Sequence, residues 1–466
     1  MNPTLLRDVE IDGHRTDVRL ADGRVAEIGP GLGRRAGEGL QDGAGGALLP
    51  GLTDHHLHLH AMAAAECSTR CGPPRVRDRA ALAEALATGP ADQHGWVRGI
   101  GYHESVAGDL DGDALTALHP ARPVRMQHRG GALWILNAPA AELLGLATGP
   151  HPGIERDHAG RPTGRLWRAD DWLRTRLPRA RPPDLAGVGA RLARLGITSV
   201  TDATPDLDDG ALEAIARAVA DGKLAQRVHL LGVPPHRPAP PGTTTGSYKI
   251  VIADSGLPDL GDLTGRIRAA HRAGRAVAVH CVTREAVVLL LAALGETGSV
   301  PGDRVEHAAL VPAELLGDLA RHGLRVVTQP GFLAERGDDY RRDVPRTDHP
   351  DLYRCRSLRD AGIPLALSSD APYGPLDPRA VIAAAVHRRT PAGAVLGAAE
   401  RLTPSAALDA YLAPPHDPGG PPRRIAAGAR ADLVLFDRPR AAITADPTDA
   451  QVVTTYVAGQ PIFTVA

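Results

Sequence analysis

Histidines and acids gather at the ends of a few apolar runs, in a spacing that suits a divalent metal ion. The densest run is PGLTDHHLHLH at 50–60. Read as a strand, side chains at spacing two share a face, which sets Asp54, His56, His58 and His60 on one side and His55 on the other. Two neutral imidazoles two residues apart can hold one ion between them, because nitrogen donors suit Zn2+ and related metals. Three further runs end alike: AVAVH closes on His280, RVEH on His307 and LALSSD on Asp370. A lone histidine after an apolar run is ordinarily a hydrogen-bonded structural residue. Ligand-type residues at the ends of four separate runs point instead to one shared ion site.

A lysine joins this set on chemical grounds. Only two of the 53 basic side chains are lysine, Lys223 and Lys249; arginine stands everywhere else. Lys223 follows Asp221-Gly222 in a turn, where nothing requires a lysine. Lys249 lies in GSYKIVIAD at 246–254, a strand-like run. Burial there lowers the pKa and favours the neutral amine. A neutral amine can take up CO2 as a carbamate, whose two oxygens bridge two metal ions. Arginine stays protonated and cannot do this.

These residues need a scaffold that brings strand ends together. Apolar or β-branched runs predict eight strands, at 51–58, 196–203, 227–233, 247–254, 276–282, 304–310, 324–330 and 364–371. Helical stretches alternate with the later ones, so the fold class is α/β and the expected architecture a (β/α)8 barrel, whose active site forms at the C-terminal strand ends. No glycine-rich phosphate loop follows any strand. The interval 61–185 is too long for one βα connection and predicts an inserted subdomain. Short β runs with Asp-Gly turns at 12–13 and 22–23, and further β runs at 431–436 and 452–457, suggest that both termini pair into one small β-sandwich. The domains are then 1–50 and 413–466 for the sandwich halves and 51–412 for the barrel.

Composition removes other classes of function. Among 466 residues, 53 basic and 54 acidic side chains leave a net charge of -1, so there is no electrostatic footprint for nucleic acid or an anionic membrane. The longest apolar run, 286–294, falls far short of a membrane span. No secretory signal is visible, and four cysteines are too few for a disulfide scaffold, which points to a reducing cytoplasm. The arginine pairs 341–342, 388–389 and 423–424 read as solvated faces. The expected partner is a small-molecule substrate, with a homo-oligomer left open.

The pattern resembles the amidohydrolase superfamily of metal-dependent hydrolases, and within it the amidohydrolase 3 branch. The resemblance covers nearly the whole chain. The 50–58 run is similar to the first-strand motif, with His56 and His58 at its HxH ligand positions. His280, Glu306-His307 and Ser369-Asp370 fall on the fifth-, sixth- and eighth-strand motifs, and GARADLV at 428–434 resembles the closing β segment. The resemblance implies hydrolysis of a non-peptide C–N bond (amide, formamide or cyclic amide) with one or two divalent ions, Zn2+ first among them. His56, His58 and Lys249 as carbamate would hold one ion; Lys249, His280 and His307 the other. Asp370, also a ligand, would take a proton from the attacking water and return it to the leaving amine. Gln329, Tyr373, Trp134 and Arg129 are candidates for substrate contact. The chain departs from the family at Cys281-Val282-Thr283-Arg284 and at Gly130-Gly131-Ala132. Rival readings are a deaminase, which commonly carries a glutamate where Thr283 stands, an ester or lactone hydrolase, and an inactive scaffold.

Overall fold

Eight parallel strands occupy the expected runs: β1 (Leu52–Leu57), β2 (Ile197–Asp202), β3 (Arg227–Leu230), β4 (Tyr248–Val251), β5 (Val277–Cys281), β6 (Arg304–His307), β7 (Arg325–Thr328) and β8 (Leu365–Leu367). The structure is a computed structural model, and it describes residues 3–73, 75–178, 183–253 and 256–465. Asp254, at the end of the run expected to form β4, lies outside the described residues. Strands such as β2, buried along its whole length, read as continuous apolar and β-branched runs because both faces are covered. Helices return between them, and side chains cap several: Asp259 accepts from Gly261 N at 2.7 Å, and Thr283 from Ala286 N at 3.2 Å.

Strand order and parallel sense are those of the expected barrel, but the ladders run as two sheets rather than one ring. One sheet is Thr243–Thr245, β3, β2, β1; the other is β4, β5, β6, β7, β8. Backbone hydrogen bonds bridge both seams. Asp370 N donates to His56 O at 2.8 Å and His58 N to Ala371 O at 2.9 Å, while Lys249 N donates to Leu231 O at 3.1 Å.

Both termini contribute four-stranded sheets. The first holds Thr4–Ile11, His14–Ala21, Arg24–Gly29 and Gly39–Asp42, the last of these parallel to Thr4–Ile11. The second joins Leu48–Pro50 to Leu433–Phe436, Val452–Val457 and Gln460–Thr464. Leu6, Val18 and Leu20 share one apolar core with Leu433, Leu435 and Tyr456. These sheets form one compact unit with the eight strands, residues 1–59 and 184–466; residues 60–183 form a second. The second unit carries its own six-stranded sheet and two apolar clusters. No helix among the described residues is long and apolar enough to cross a membrane.

The start of β1 is held from behind by late-sequence residues. Gly51 N donates to Asp432 O at 2.9 Å and Thr53 N to Tyr411 O at 2.8 Å. Arg423 donates to Gly51 O and, at 3.1 Å, to Thr53 Oγ1. Arg388 is also buried, donating to the carbonyls of Leu396, Tyr353 and Leu352 at 2.7–3.0 Å. These two arginines are therefore backbone clamps and not solvated faces.

Regular alternation fails in β1. Val200 pairs with Asp54 and Asp202 with Leu57, so β1 spends three steps where β2 spends two. This bulge at His55–His56 re-aims the following side chains. Asp54 is turned to the backbone N–H groups of His56 and Ser369, at 3.1 and 3.3 Å. His60 leaves the strand altogether, in the helix Leu59–Glu66. Of the four residues expected on one face, only His56 and His58 converge.

Candidate metal centre

The buried His56 ring is fixed from one side. Its Nδ1 donates to Glu306, and Arg304 Nε donates to the other Glu306 oxygen. That leaves the lone pair on His56 Nε2, which is buried, has no hydrogen-bond partner and lies 3.5 Å from Asp370 Oδ1. His58 Nε2 lies 3.2 Å from the same oxygen, and its Nδ1 3.1 Å from Thr204 Oγ1. Asp202 steadies this corner by accepting from Thr204 N at 3.0 Å and Leu59 N at 2.8 Å. Ligand atoms of His56, His58 and Asp370 all lie within 4.8 Å of one another.

His280 and His307 stand beside this trio. The His307 ring centroid is 4.7 Å from that of His56 and 4.4 Å from that of His280. His307 Nδ1 donates to Gln329 Oε1 at 2.9 Å, and Gln329 Nε2 donates to Ser368 Oγ at 2.9 Å. Gln329, expected as a substrate contact, is fully buried and fixes the His307 ring. His307 and Asp370 hold φ of 70° and 54°, backbone conformations that non-glycine residues adopt at a cost and that cluster at functional sites. Lys249 is buried on β4, whereas Lys223 is exposed and 3.5 Å from Asp184.

Burial governs the charge states. It drives the His56 and His307 imidazoles well below their ordinary pKa, assisted by the Lys249 and His280 charges respectively, so both are neutral donors. Burial also lowers the Lys249 amine, against the pull of Glu306 and Asp370. In Asp370 burial works upward, but the His58 hydrogen bond and the surrounding imidazoles outweigh it and hold the carboxyl below the usual range.

Tyr373 is near, its ring centroid 5.6 Å from that of His58. Trp134 belongs to the core of the second unit, donating to Asp170 at 2.9 Å, with Arg98 and Arg125 each 5.6 Å over its ring. Packing explains that position better than substrate contact. Arg129 is also in the second unit, where its N donates to Tyr102 O at 2.8 Å. Glu104 pairs there with His128 at 3.2 Å and His103 at 3.5 Å. Thr283, at the position of the deaminase glutamate, serves as a helix cap.

A cation fits this constellation. The unpartnered His56 Nε2 and an anionic Asp370 oxygen face one another without a proton between them, and the neutral His307 imidazole stands beside them. Nitrogen and carboxylate donors of this kind suit Zn2+ and its neighbours.

Known proteins share this chain's sequence and fold. The N-substituted formamide deformylase of Arthrobacter pascens is 27% identical across 97% of this chain and 92% of its own length. An uncharacterised metal-dependent hydrolase from Pyrococcus horikoshii OT3 superposes with a TM-score of 0.75 at 20% identity, covering 94% of this chain and 98% of that one. N-isopropylammelide isopropylaminohydrolase from Burkholderia multivorans ATCC 17616 gives a TM-score of 0.55 at 15% identity over 99% and 98% of the two chains. The Amidohydrolase family profile matches residues 40–463, which contain all eight strands, and by that match the chain belongs to the amidohydrolase family.

Proposed function

We propose that this protein is a metal-dependent hydrolase of a non-peptide C–N bond in a small, amide-like substrate. The observation that carries the reading is the convergence of His56, His58 and Asp370, with the buried His56 Nε2 left unpartnered. The scaffold is a (β/α)8 barrel with a β-sandwich from both termini and an insertion near 61–185, and four free thiols accord with a cytoplasmic setting. His56, His58 and Asp370 would hold the first ion, Zn2+ by donor type. Lys249, as carbamate, would join His280 and His307 in holding a second.

When bound, such an ion lowers the pKa of water toward ~7 and polarises a carbonyl. The chain's own groups do the rest. Asp370 Oδ1 faces the His56 and His58 nitrogens of the ion site, so Oδ2 is the atom that takes the proton from the attacking water and later delivers it to the leaving nitrogen. Glu306 and Gln329 hold the imidazoles in the tautomer that presents a lone pair. The deaminase alternative loses support because Thr283 caps a helix.

Metal analysis of the purified protein, followed by amine release from N-formyl, N-acyl and cyclic amides, tests the reading. Stoichiometric metal with amide turnover is expected. Absence of metal after supplemented expression would favour the scaffold reading, and turnover of esters alone would redirect the assignment. A high-resolution crystallographic map at Lys249 tests the second ion: a bare amine turned from a single metal removes it.

A further inference from the structure

Four site residues are each followed, two or three positions on, by a member of one apolar cluster. Val282 follows His280, Leu310 follows His307, Phe332 follows Gln329 and Tyr373 follows Asp370. Backbone bonds knit these loops together: Leu310 N donates to Val282 O at 3.1 Å, and Tyr353 N to Ala309 O at 2.8 Å. Tyr353 lies against Phe332, with ring centroids 6.2 Å apart, and its hydroxyl is 3.0 Å from that of Tyr340. In a chain with only 3 Phe and 7 Tyr, four of those rings stand in this one cluster. Val282, Leu310, Tyr340 and Tyr373 are only half-buried, and Tyr373 carries the cluster to the site, its ring centroid 5.6 Å from that of His58. Arg336 flanks it, its guanidinium 4.6 Å over Phe332 and one N–H donated to Tyr373 O at 2.7 Å.

We propose that this wall is the specificity surface of the site and receives an uncharged apolar substituent, aryl by preference, carried on the nitrogen side of the scissile bond. The proposal rests on the hydrolase reading above. The nitrogen side follows from Tyr373, which lies three residues past the acid that protonates the leaving amine. An aryl group presents face and edge to the surrounding rings. A carboxylate there would lose hydration against a largely apolar wall, which disfavours it.

Ketone isosteres that cannot be hydrolysed separate recognition from turnover. Binding of benzylacetone, methyl ethyl ketone and levulinate to the metal-loaded protein is measured by calorimetry, with N-benzylacetamide hydrolysis assayed in parallel. Benzylacetone is expected to bind at least ~10-fold tighter than methyl ethyl ketone, and levulinate no tighter. The advantage should shrink in Tyr373→Ala and in Leu310→Thr, with folding checked by circular dichroism. Equal binding of the three, tightest binding of levulinate, or an advantage intact in both variants overturns the wall. Preference for benzylacetone without amide turnover leaves the wall standing and sinks the C–N reading instead.

Discussion

At the scale of single residues, the site separates groups that act from groups that hold. In the proposed reaction Asp370 is the acting group, and its low pKa keeps it an anion throughout the neutral range. Asp370→Asn with metal retained should lower kcat by roughly 10²- to 10⁴-fold. Turnover measured on protein of known metal content checks this, and an unchanged kcat would remove Asp370 from its role. Glu306 is a holding group. It makes the hydrogen bond that fixes the His56 tautomer, so Glu306→Gln should weaken metal affinity by about 10- to 100-fold while leaving the apolar wall intact. Competition with a chelator reads that loss directly.

At the scale of elements, the close approach of β1 and β2 sets the geometry of the first two ligands. A Cβ on Gly51 would come within 2.2 Å of the Thr198 Cγ2. Gly51→Ala should therefore destabilise the protein by about 1–3 kcal/mol in denaturant melts, because overpacking at this seam has nowhere to relax. The strands themselves are legible in the sequence, since burial on both faces writes them as unbroken apolar runs. So are His280, His307 and Asp370, each at the end of such a run. The bulge is not legible, because it depends on how β1 registers against β2, some 140 residues on. What Glu306 and Gln329 hold is not legible for a related reason: it is defined by partners on other elements. Arg388 and Arg423 misled because arginine is usually solvated, and only the fold brings unpaired carbonyls around them.

At the scale of the whole molecule, buried imidazoles tie stability to pH. Burial, first of all, lowers the pKa of His55, His56 and His307 well below the ordinary value and that of His229 to about 3. Their stabilising contribution is whole above the unfolded pKa of ~6.5 and is lost as pH falls toward the folded values, by up to about 1.4 kcal/mol per pH unit for each histidine. Asp54 has the opposite sign. Burial pushes it up to about 7, so its contribution is whole below its unfolded pKa and lost as pH rises through about 7. Four histidines outweigh one aspartate. Urea melts of the metal-free protein should show stability falling from pH ~6.5 to ~5, and His55→Gln, which removes one of these buried imidazoles, should flatten that slope. A slope of the reverse sign would show that Asp54 dominates.

The contacts behind β1 also impose an order in time. His56 and His58 emerge early from the ribosome, yet the groups that hold their strand, from Tyr411 to Asp432, are made more than 350 residues later. A nascent chain therefore carries His56 and His58 without these contacts until translation has passed Asp432. On the proposed reading, metal capture would belong to the close of synthesis, and a chain released before that point would keep the HxH motif but not the supports behind it.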